Sequence, residues 1–439
     1  MGKLDGAVAT DRIRSGEWRA VAFSFAYFFC VLAAYYVMRP VREQLSAAVG
    51  STQLPWFFAA TFVATLLLTP VFAWLVSRWP RRVVVPAVYL FFIACLLAFV
   101  PLFTGQGLLG PRALGIVFFV WVSVFNLFVV SVFWSFMADI WDDAQARRLF
   151  PVIGLGGTAG AIAGPVLTRQ LVEVIGVAPL LVVSALLLGG ALACVLVLGR
   201  WAREHGSRRN DARNEAAVGG GMFDGLKQVF ATPFIRNMAL LMLLGDAIGT
   251  VAYALITDYS GATFHDAVSR TRFAASVDLV TNTVQVVTQL TLTRWLLVRH
   301  GAGAVFLTRA AVGIVACAAM ALAADPYAPV LFGLPWVALM LVMTRSLAYG
   351  MDQPARESLF TLVPRDWRYK GKNAVDTAVW RAGDVVVAGA LNGLRALGAS
   401  TSVFGWIGAA ALALGGTIGW RLARGVERPA PARPAAADA

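Results

Sequence analysis

The sequence is poor in the side chains that build metal centres, disulfide frameworks and common catalytic sites. It has three histidines and four cysteines among 439 residues, and neither set has the spacing of metal ligands. Cys30, Cys95, Cys194 and Cys317 all lie within apolar runs, where they are expected to act as small buried side chains. No nucleophile and base are recognisable as a pair. We therefore predict that the chain is not an enzyme and has no cofactor, metal or disulfide framework.

Charged residues are also scarce, since 14% of the chain is Asp, Glu, Lys or Arg while 59% is hydrophobic. The mean hydropathy of +0.71 is typical of an integral membrane protein in a lipid bilayer. The formal net charge of +13 does not indicate nucleic acid as a partner, because the basic residues lie mainly in short loops between apolar runs. Residues 1–18 lack an apolar core, so no cleavable signal is expected.

About twelve apolar runs approach the length of roughly 20 residues that a membrane-spanning helix needs. The predicted spans are 18–38, 54–77, 83–103, 112–138, 150–175, 178–199, 233–258, 269–298, 304–324, 330–350, 374–397 and 402–423. An even number places both termini on one side. Most Lys and Arg then lie on that side, which the positive-inside rule makes cytoplasmic. Arginine greatly outnumbers lysine, which is typical of GC-rich bacterial genomes, so we expect a bacterial inner membrane.

The spans form two sets of six. Residues 200–228 separate them and are polar, basic and glycine-rich, as a cytoplasmic linker would be. We therefore predict a cytoplasmic segment at 1–17, six-helix halves at 18–199 and 233–423, and a disordered Pro/Ala-rich tail at 427–439. This arrangement predicts an all-α membrane protein of the major facilitator fold, in which the substrate site lies at the bilayer midplane between the halves.

Charged residues follow the first apolar run directly. Arg39 and Glu43 are four residues apart, so they share a face of a continuous helix with Arg42 close by, and Pro40 is expected to kink the chain. Such a cluster at the end of a span is typical of the edge of an aqueous cavity. The alternative is that both arginines extend to the lipid headgroups.

Residues 73–82 (AWLVSRWPRR) resemble the loop signature of the major facilitator superfamily. Arg78, Arg81 and Arg82 match its basic positions, whereas Ala73 and Ser77 replace its usual glycine and aspartate. The resemblance implies a gating role for the three arginines. Simple anchoring by the positive-inside rule is the alternative.

A second polar stretch covers residues 133–164. Asp139 ends the fourth predicted span, and a carboxylate in that position costs free energy unless it is paired or hydrated. Residues 142–148 are predicted to form a short charged loop. The glycines that follow favour close helix packing and do not form a phosphate loop, because no Gly-Lys-Ser/Thr sequence follows them.

The second half contains several intramembrane charges, each of which is a functional candidate or a partner in an ion pair between helices. They are Asp246, Asp278, Arg309, Arg345, Asp376, Arg381 and Asp384. Asn282, Gln285 and Gln289 continue a polar stripe from Asp278, which favours cavity lining over hydrogen bonding between helices. Residues 356–372 are predicted to form a cytoplasmic loop.

Four of these segments together resemble the ATP/ADP translocase family of plastids and obligate intracellular bacteria. They are residues 35–43 (YYVMRPVRE), 133–140, 148–157 (RLFPVIGLGG) and 370–376 (KGKNAVD), and they keep the family's order and spacing. The resemblance implies that Arg42 and Glu43 match a functional basic–acidic pair. It also implies that Asp139 matches the functional carboxylate of that family.

One position departs from the family pattern. After Asp376 the family has Arg-x-Gly-Lys-Ser, whereas this chain has Arg381, Ala382, Gly383, Asp384 and Val385. The family's lysine contacts nucleotide phosphates, and a carboxylate at its position repels them. A buried carboxylate suits proton exchange instead.

We therefore predict a secondary transporter, monomeric, that moves an anionic or zwitterionic metabolite by alternating access, with nucleotide exchange as the family default. The predicted substrate-binding residues are Arg39, Arg42, Glu43, Asp139, Asn282, Gln285, Arg345 and Arg381. The predicted coupling residues, which would bind protons, are Asp139, Asp246, Asp278, Asp376 and Asp384. The alternatives are proton-coupled transport of a non-nucleotide solute, transport of a lipid or lipid-linked substrate, and a non-transporting membrane scaffold.

Overall fold

The computed structural model describes residues 16–79, 81–105, 110–205, 230–363, 375 and 379–427. These residues are almost entirely helical. The α-helices are α1 Trp18–Val49, α2 Leu54–Arg78, α3 Arg81–Phe103, α4 Pro111–Ile140, α5 Asp143–Ile175, α6 Ala178–His205, α7 Pro233–Thr263, α8 Ala267–Thr288, α9 Arg294–Leu322, α10 Trp336–Leu347, α11 Gln353–Thr361, α12 Trp380–Ala396 and α13 Thr401–Glu427. A small antiparallel pair of strands, β1 Pro329–Leu331 and β2 Leu334–Pro335, precedes α10.

Nine helical stretches among the described residues are long and apolar enough to cross a membrane. One of them, Ala267–Leu322, contains 56 residues and at 1.5 Å per residue is about 84 Å long, more than twice the bilayer core. Gly301, with φ of 76°, breaks this stretch within α9. The break allows the stretch to cross a membrane twice. The helices α10 and α11 are joined by a π-helical turn, and α12 has 17 residues.

The first helix is longer than the predicted span 18–38. α1 continues through Pro40 to Val49, which places Arg39, Arg42 and Glu43 within the helix rather than at its end. The apolar run ends at Arg39, but the helix continues beyond it. It can do so because partners within the protein neutralise the charges. The interpretation that these arginines extend to the headgroups is wrong, since the Arg39 side chain is only 3% exposed.

Other boundaries also differ from the predicted ones. The predicted linker 200–228 begins too early, because α6 continues to His205, and residues 206–228 lie outside the described residues. The predicted loop at 142–148 begins α5 instead, where Asp142 and Gln145 form a reciprocal capping box that satisfies free backbone donors. The predicted span at 330–350 begins later, at Trp336, after the strand pair. Residues 353–361 form α11 and not part of a loop. The remainder of that predicted loop, from residue 364 to 372, lies outside the described residues.

The contacts divide the protein into two compact units. Unit 1 contains the described residues of 1–213 together with Thr257–Val280, and unit 2 contains those of 214–256 and 281–439. The end of α7 and the start of α8 therefore belong to unit 1, although the predicted halves place them in the second half. The predicted halves themselves stay a prediction.

In unit 1, glycines of α5 bring that helix against α1. A Cβ atom at Gly156 would lie 2.3 Å from the Phe25 carbonyl oxygen, and one at Gly160 would lie 2.4 Å from that of Phe29. These distances are too short for any larger residue, so the predicted close packing is confirmed. It fixes α1, which bears the charge cluster.

Unit 2 uses the same device between α9 and α13, where a Cβ atom at Gly416 would lie 2.5 Å from that of Ala310. Two π-helical turns, Gln289–Thr293 and Ala348–Asp352, also meet in this unit. The hydroxyl of Thr293 donates to the Gly350 carbonyl oxygen at 2.7 Å. Such turns are rare and occur frequently at functional sites.

Candidate functional site

Two groups of polar side chains inside the described part of the protein are candidate sites, one in each unit. The first, which we call the arginine cluster, consists of Arg39, Arg42, Glu43 and Asp278. Arg39 contacts Asp278, with Nη1 and Oδ1 3.1 Å apart, and contacts Glu43, with Nε and Oε1 3.5 Å apart. Arg42 donates to the same Glu43 oxygen at 2.5 Å. Asp278 comes from α8, and the other three come from α1.

The arginine cluster is shielded from solvent to different degrees. The side chains of Arg39 and Asp278 are 3% and 6% exposed, whereas those of Arg42 and Glu43 are 11% and 13% exposed. Two basic and two acidic groups balance, so the cluster is formally neutral, as burial of charges requires. Arg42 and Glu43 form its more accessible side.

Aromatic and hydroxyl groups surround the two guanidinium groups. The Arg42 guanidinium lies over the Phe119 ring, 4.7 Å from its centre, and donates to the Ser123 hydroxyl at 3.4 Å. That of Arg39 lies 5.6 Å from the centre of the Tyr36 ring. Planar guanidinium groups bind carboxylates and phosphates through paired hydrogen bonds, and rings can stack on planar ligands. The cluster therefore has the chemistry to bind an anionic or zwitterionic molecule.

The second group, which we call the carboxyl cluster, joins α7 and α12 in unit 2. The Trp380 indole donates from α12 to Asp246 Oδ1 on α7 at 2.7 Å, and the Thr250 hydroxyl donates from α7 to Asp384 Oδ1 on α12 at 2.9 Å. Asp246 and Thr250 are one helical turn apart, as are Trp380 and Asp384. These two hydrogen bonds link the helices and place the Asp246 and Asp384 carboxyl groups near each other.

Two arginines lie beside the carboxyl cluster, and one of them forms a long ion pair with it. Arg381 Nη1 is 3.8 Å from Asp384 Oδ2, and the Arg381 side chain is 33% exposed. Arg345, half-buried on α10, interacts electrostatically with Asp384. Two carboxyl groups that lie near each other inside a protein have the chemistry to share a proton.

A separate ion pair is buried near Gly245 on α7. Arg309 Nη1 lies 3.1 Å from Asp352 Oδ2, and the Arg309 side chain is 3% exposed. A Cβ atom at Gly245 would lie 3.4 Å from Arg309 Nη2. Glycine at this position therefore leaves room for the guanidinium. The alternative that some intramembrane charges serve as ion pairs between helices fits Arg309, and its partner Asp352 lies in a π-helical turn.

The structure does not bring all the predicted substrate-binding residues together. Asp139 is exposed near the end of α4. Ser123, which contacts Arg42, lies 16 residues earlier on that helix, so about 24 Å separates the two positions along its axis. Arg345 and Arg381 belong to the carboxyl cluster's surroundings and not to the arginine cluster.

The remaining predicted residues fall at several places. Asn282 is buried, Gln285 half-buried and Gln289 exposed, so burial decreases along the predicted polar stripe. Arg78 is exposed at the end of α2, with its guanidinium 5.9 Å from the centre of the Trp74 ring. Arg81 and Arg82 begin α3, and only their backbone is described. Asp376 and the 370–374 part of its motif lie outside the described residues.

Sequence reasoning missed the neutral partners in both clusters. Ser123 and Phe119 contact Arg42, and Thr250 and Trp380 bind the carboxyl groups. The spacing of four residues from Asp246 to Thr250 indicates that the two side chains share a helix face, and this could have been read from the sequence. Among the described residues, no group of three or more His, Cys, Asp or Glu side chains could hold a metal ion.

Three solved structures that resemble this arrangement of helices are those of membrane transporters. The nucleoside transporter NupG has a TM-score of 0.61 and 14% identity, over 95% of this chain and 100% of its own. The POT family transporter PepTSo has a TM-score of 0.63 and 11% identity, over 93% of this chain and 98% of its own. A bacterial homologue of the human lysosomal transporter Spinster has a TM-score of 0.59 and 13% identity, over 96% of this chain and 100% of its own.

No protein-family model matches the sequence, and no curated protein sequence is similar to it. At these identities the structural likeness shows the fold and not the substrate. The chain is an all-α, multi-pass membrane protein with the major facilitator fold. The predicted fold class is thereby confirmed.

Proposed function

We propose that the chain is a secondary transporter that moves an anionic or zwitterionic metabolite across a bacterial inner membrane. The observation that supports this most directly is the arginine cluster, because buried charges on a membrane helix are costly and are retained for function. In this proposal the termini are cytoplasmic, and the halves 18–199 and 233–423 move against each other by alternating access. The names of the structural neighbours support transport as the general activity.

Arg42 is proposed to make the first contact with the anionic group of the substrate. Its side chain is more exposed than that of Arg39, and it lies beside the Phe119 ring. Glu43 offers a carboxylate to a positively charged group of a zwitterion. A nucleotide is one substrate that fits, through its phosphates and its planar base, and the resemblance of residues 35–43 to the translocase family supports it. Asp384, in place of that family's lysine, argues for another anion.

Counterflow of labelled ATP into proteoliposomes loaded with ADP tests this proposal, with empty liposomes as the reference. Uptake above the reference identifies a nucleotide exchanger. If ATP is not taken up, we expect counterflow with another anionic or zwitterionic metabolite from a panel of labelled phosphates, carboxylates and amino acids. Folded protein that gives no counterflow with any compound contradicts the proposal.

Arg42→Ala tests the site with the same assay. Each hydrogen bond from a charged group contributes about 1.5–3 kcal/mol, so we expect at least about a tenfold loss of affinity for the transported anion. Arg112→Ala is the matched control. This exposed arginine on α4 donates to Gln53, outside the arginine cluster, so its loss should leave the affinity unchanged. Equal affinity in Arg42→Ala and wild type would exclude the arginine cluster as the site.

Proton-coupled transport of a non-nucleotide solute is the second candidate, and the carboxyl cluster favours it. Substrate uptake is measured with an imposed pH gradient, in wild type and in Asp384→Asn. We expect the gradient to drive uptake in wild type and to lose this effect in the variant, while counterflow continues. Uptake that ignores the pH gradient in both proteins rules out the coupling.

A further inference from the structure

The end of α7 and the start of α8, Thr257–Val280, are held against α1 within unit 1. We call this segment the hairpin tip. Asp258 accepts hydrogen bonds from the Ser51 backbone N–H at 3.0 Å and from the Ser51 hydroxyl at 2.7 Å. A Cβ atom at Gly261 would lie 2.4 Å from the Ala47 carbonyl oxygen. The tip therefore fits closely against the segment that follows Arg42 and Glu43.

The most buried tie between the hairpin tip and α1 is the pair of Arg39 and Asp278. Both side chains are more than nine-tenths buried. A guanidinium in such surroundings has lost its water and needs a negative partner at all times. Asp278 supplies that partner from the tip, while Glu43 supplies a weaker contact from α1 itself.

The same pair belongs to the proposed substrate site. The anionic group of a substrate and the Asp278 carboxylate offer equivalent oxygen acceptors to one guanidinium. The two therefore compete for Arg39. A displaced Asp278 would lose its buried ion pair with Arg39, and the loss of a buried ion pair is unfavourable. It regains hydration only if the hairpin tip moves away from α1.

From this geometry we infer that Asp278 stands in for the substrate on Arg39, and that substrate binding releases the hairpin tip from α1. Without substrate, the tip stays tied. This inference rests on the proposed function and adds a consequence to it. Release requires a bound anion, so the protein exchanges one substrate for another and resists net flux.

Efflux from proteoliposomes tests the inference. Vesicles are loaded with labelled ADP, or with the labelled anion that gave counterflow, and efflux is followed into buffer with and without the unlabelled compound. In wild type we expect outside substrate to speed efflux at least about tenfold, the effect of about 1.4 kcal/mol. In Asp278→Asn we expect efflux without outside substrate to rise until the ratio approaches one.

Matched variants distinguish loss of the Arg39–Asp278 pair from a general loss of stability. Glu173→Gln breaks an exposed ion pair between α5 and Arg272 on the same hairpin tip, and we expect the wild-type ratio. Asp278→Glu keeps the charge and should also retain a ratio well above one. Ser51→Ala loosens the tip without removing a charge. It should raise efflux into substrate-free buffer and slightly increase substrate affinity, because binding then has a weaker tie to break.

Amide hydrogen exchange gives a readout that does not depend on transport. We expect faster exchange in Thr257–Val280 for Asp278→Asn than for wild type, and faster exchange in wild type when the transported anion is added. Wild type that performs counterflow, combined with an unchanged ratio in Asp278→Asn, overturns this inference alone. Wild type that performs no counterflow overturns the proposed function as well.

Discussion

The two clusters solve the problem of burying charge in different ways. In the arginine cluster, two cations and two anions neutralise one another. In the carboxyl cluster, two acids lie near each other on neighbouring helices, and neutral donors from Trp380 and Thr250 bind them. The first cluster depends on its complement of charges, and the second depends on neutral hydrogen-bond donors. Substitutions should therefore affect them in opposite ways, since amides can replace acids in the second cluster but not in the first.

The largest effect is expected from Arg39→Met. It leaves Asp278 buried without its cation, and breaking such a pair costs about 3–5 kcal/mol of unfolding free energy. The double variant Arg39→Met/Asp278→Leu removes both charges and should recover most of that loss. Thermal unfolding in detergent measures both variants. A double variant as unstable as the single one would show that packing, and not charge, accounts for the loss.

A smaller effect is expected in the carboxyl cluster. Asp384→Asn keeps an acceptor for Thr250 and provides a donor for Asp246, so unfolding free energy should change by less than about 1 kcal/mol. Asp384→Leu removes the hydrogen-bond acceptor of Thr250 and the polar neighbour of Asp246, and should lower the unfolding free energy by about 2–3 kcal/mol. The same melting experiment compares the pair. Equal losses in the two variants would contradict a proton-sharing arrangement.

Removal of a single hydroxyl group should distinguish the clusters more finely. Thr250→Val deletes a buried hydrogen bond of 2.9 Å and should cost about 1 kcal/mol. Ser123→Ala deletes the 3.4 Å contact with Arg42, which is long for a hydrogen bond, and should cost less than about 0.5 kcal/mol. Chemical denaturation in mixed micelles can resolve this difference. A larger loss in Ser123→Ala would show that Ser123 orients Arg42.

The smallest effect is expected at an exposed acid outside both clusters. The backbone N–H of Ser269 donates to Asp266 at 2.8 Å and lowers the pKa of that carboxyl group below its ordinary value. A lowered folded pKa stabilises the folded state above the unfolded pKa, and this contribution disappears as the pH falls through the folded pKa, below about 4. Amide exchange at the start of α8, corrected for intrinsic rates, should therefore accelerate in acid.

Asp266→Asn provides the control for that experiment. Asparagine caps helices about as well as aspartate does but does not titrate. The start of α8 should then show the same protection in acid and at neutral pH. An unchanged acid response in this variant would assign the effect to another group.

Hydropathy predicted the architecture well, because apolar runs of bilayer length leave few alternatives. The glycines of α5 also indicated close packing correctly. Hydropathy failed at Arg39, where the helix continues through a charged residue and Pro40 to Val49. The reason is that Asp278 neutralises Arg39 from a distant part of the chain, and a local window contains no such information.

The candidate site was predictable only in part. Arg39, Arg42, Glu43 and Asp278 were recognised as charges inside apolar sequence, and the structure joins them in one cluster. Asp139 was grouped with them, although it lies some 24 Å further along α4 than Ser123. The carboxyl cluster required knowledge that α7 and α12 are neighbours. The spacing along each helix showed that Asp246 lies near Thr250 and Trp380 near Asp384. Only the packing of the two helices showed the hydrogen bonds between these pairs.

The paired π-helical turns have a consequence for how relatives of this chain should align. Each turn holds one residue more than an α-helix would, which rotates the following side chains by about 100°. The bond from Thr293 to Gly350 couples the two turns. Relatives that lack one residue in Ala348–Asp352 should therefore lack one in Gln289–Thr293 too, and alignments of this group should contain single-residue gaps in correlated pairs.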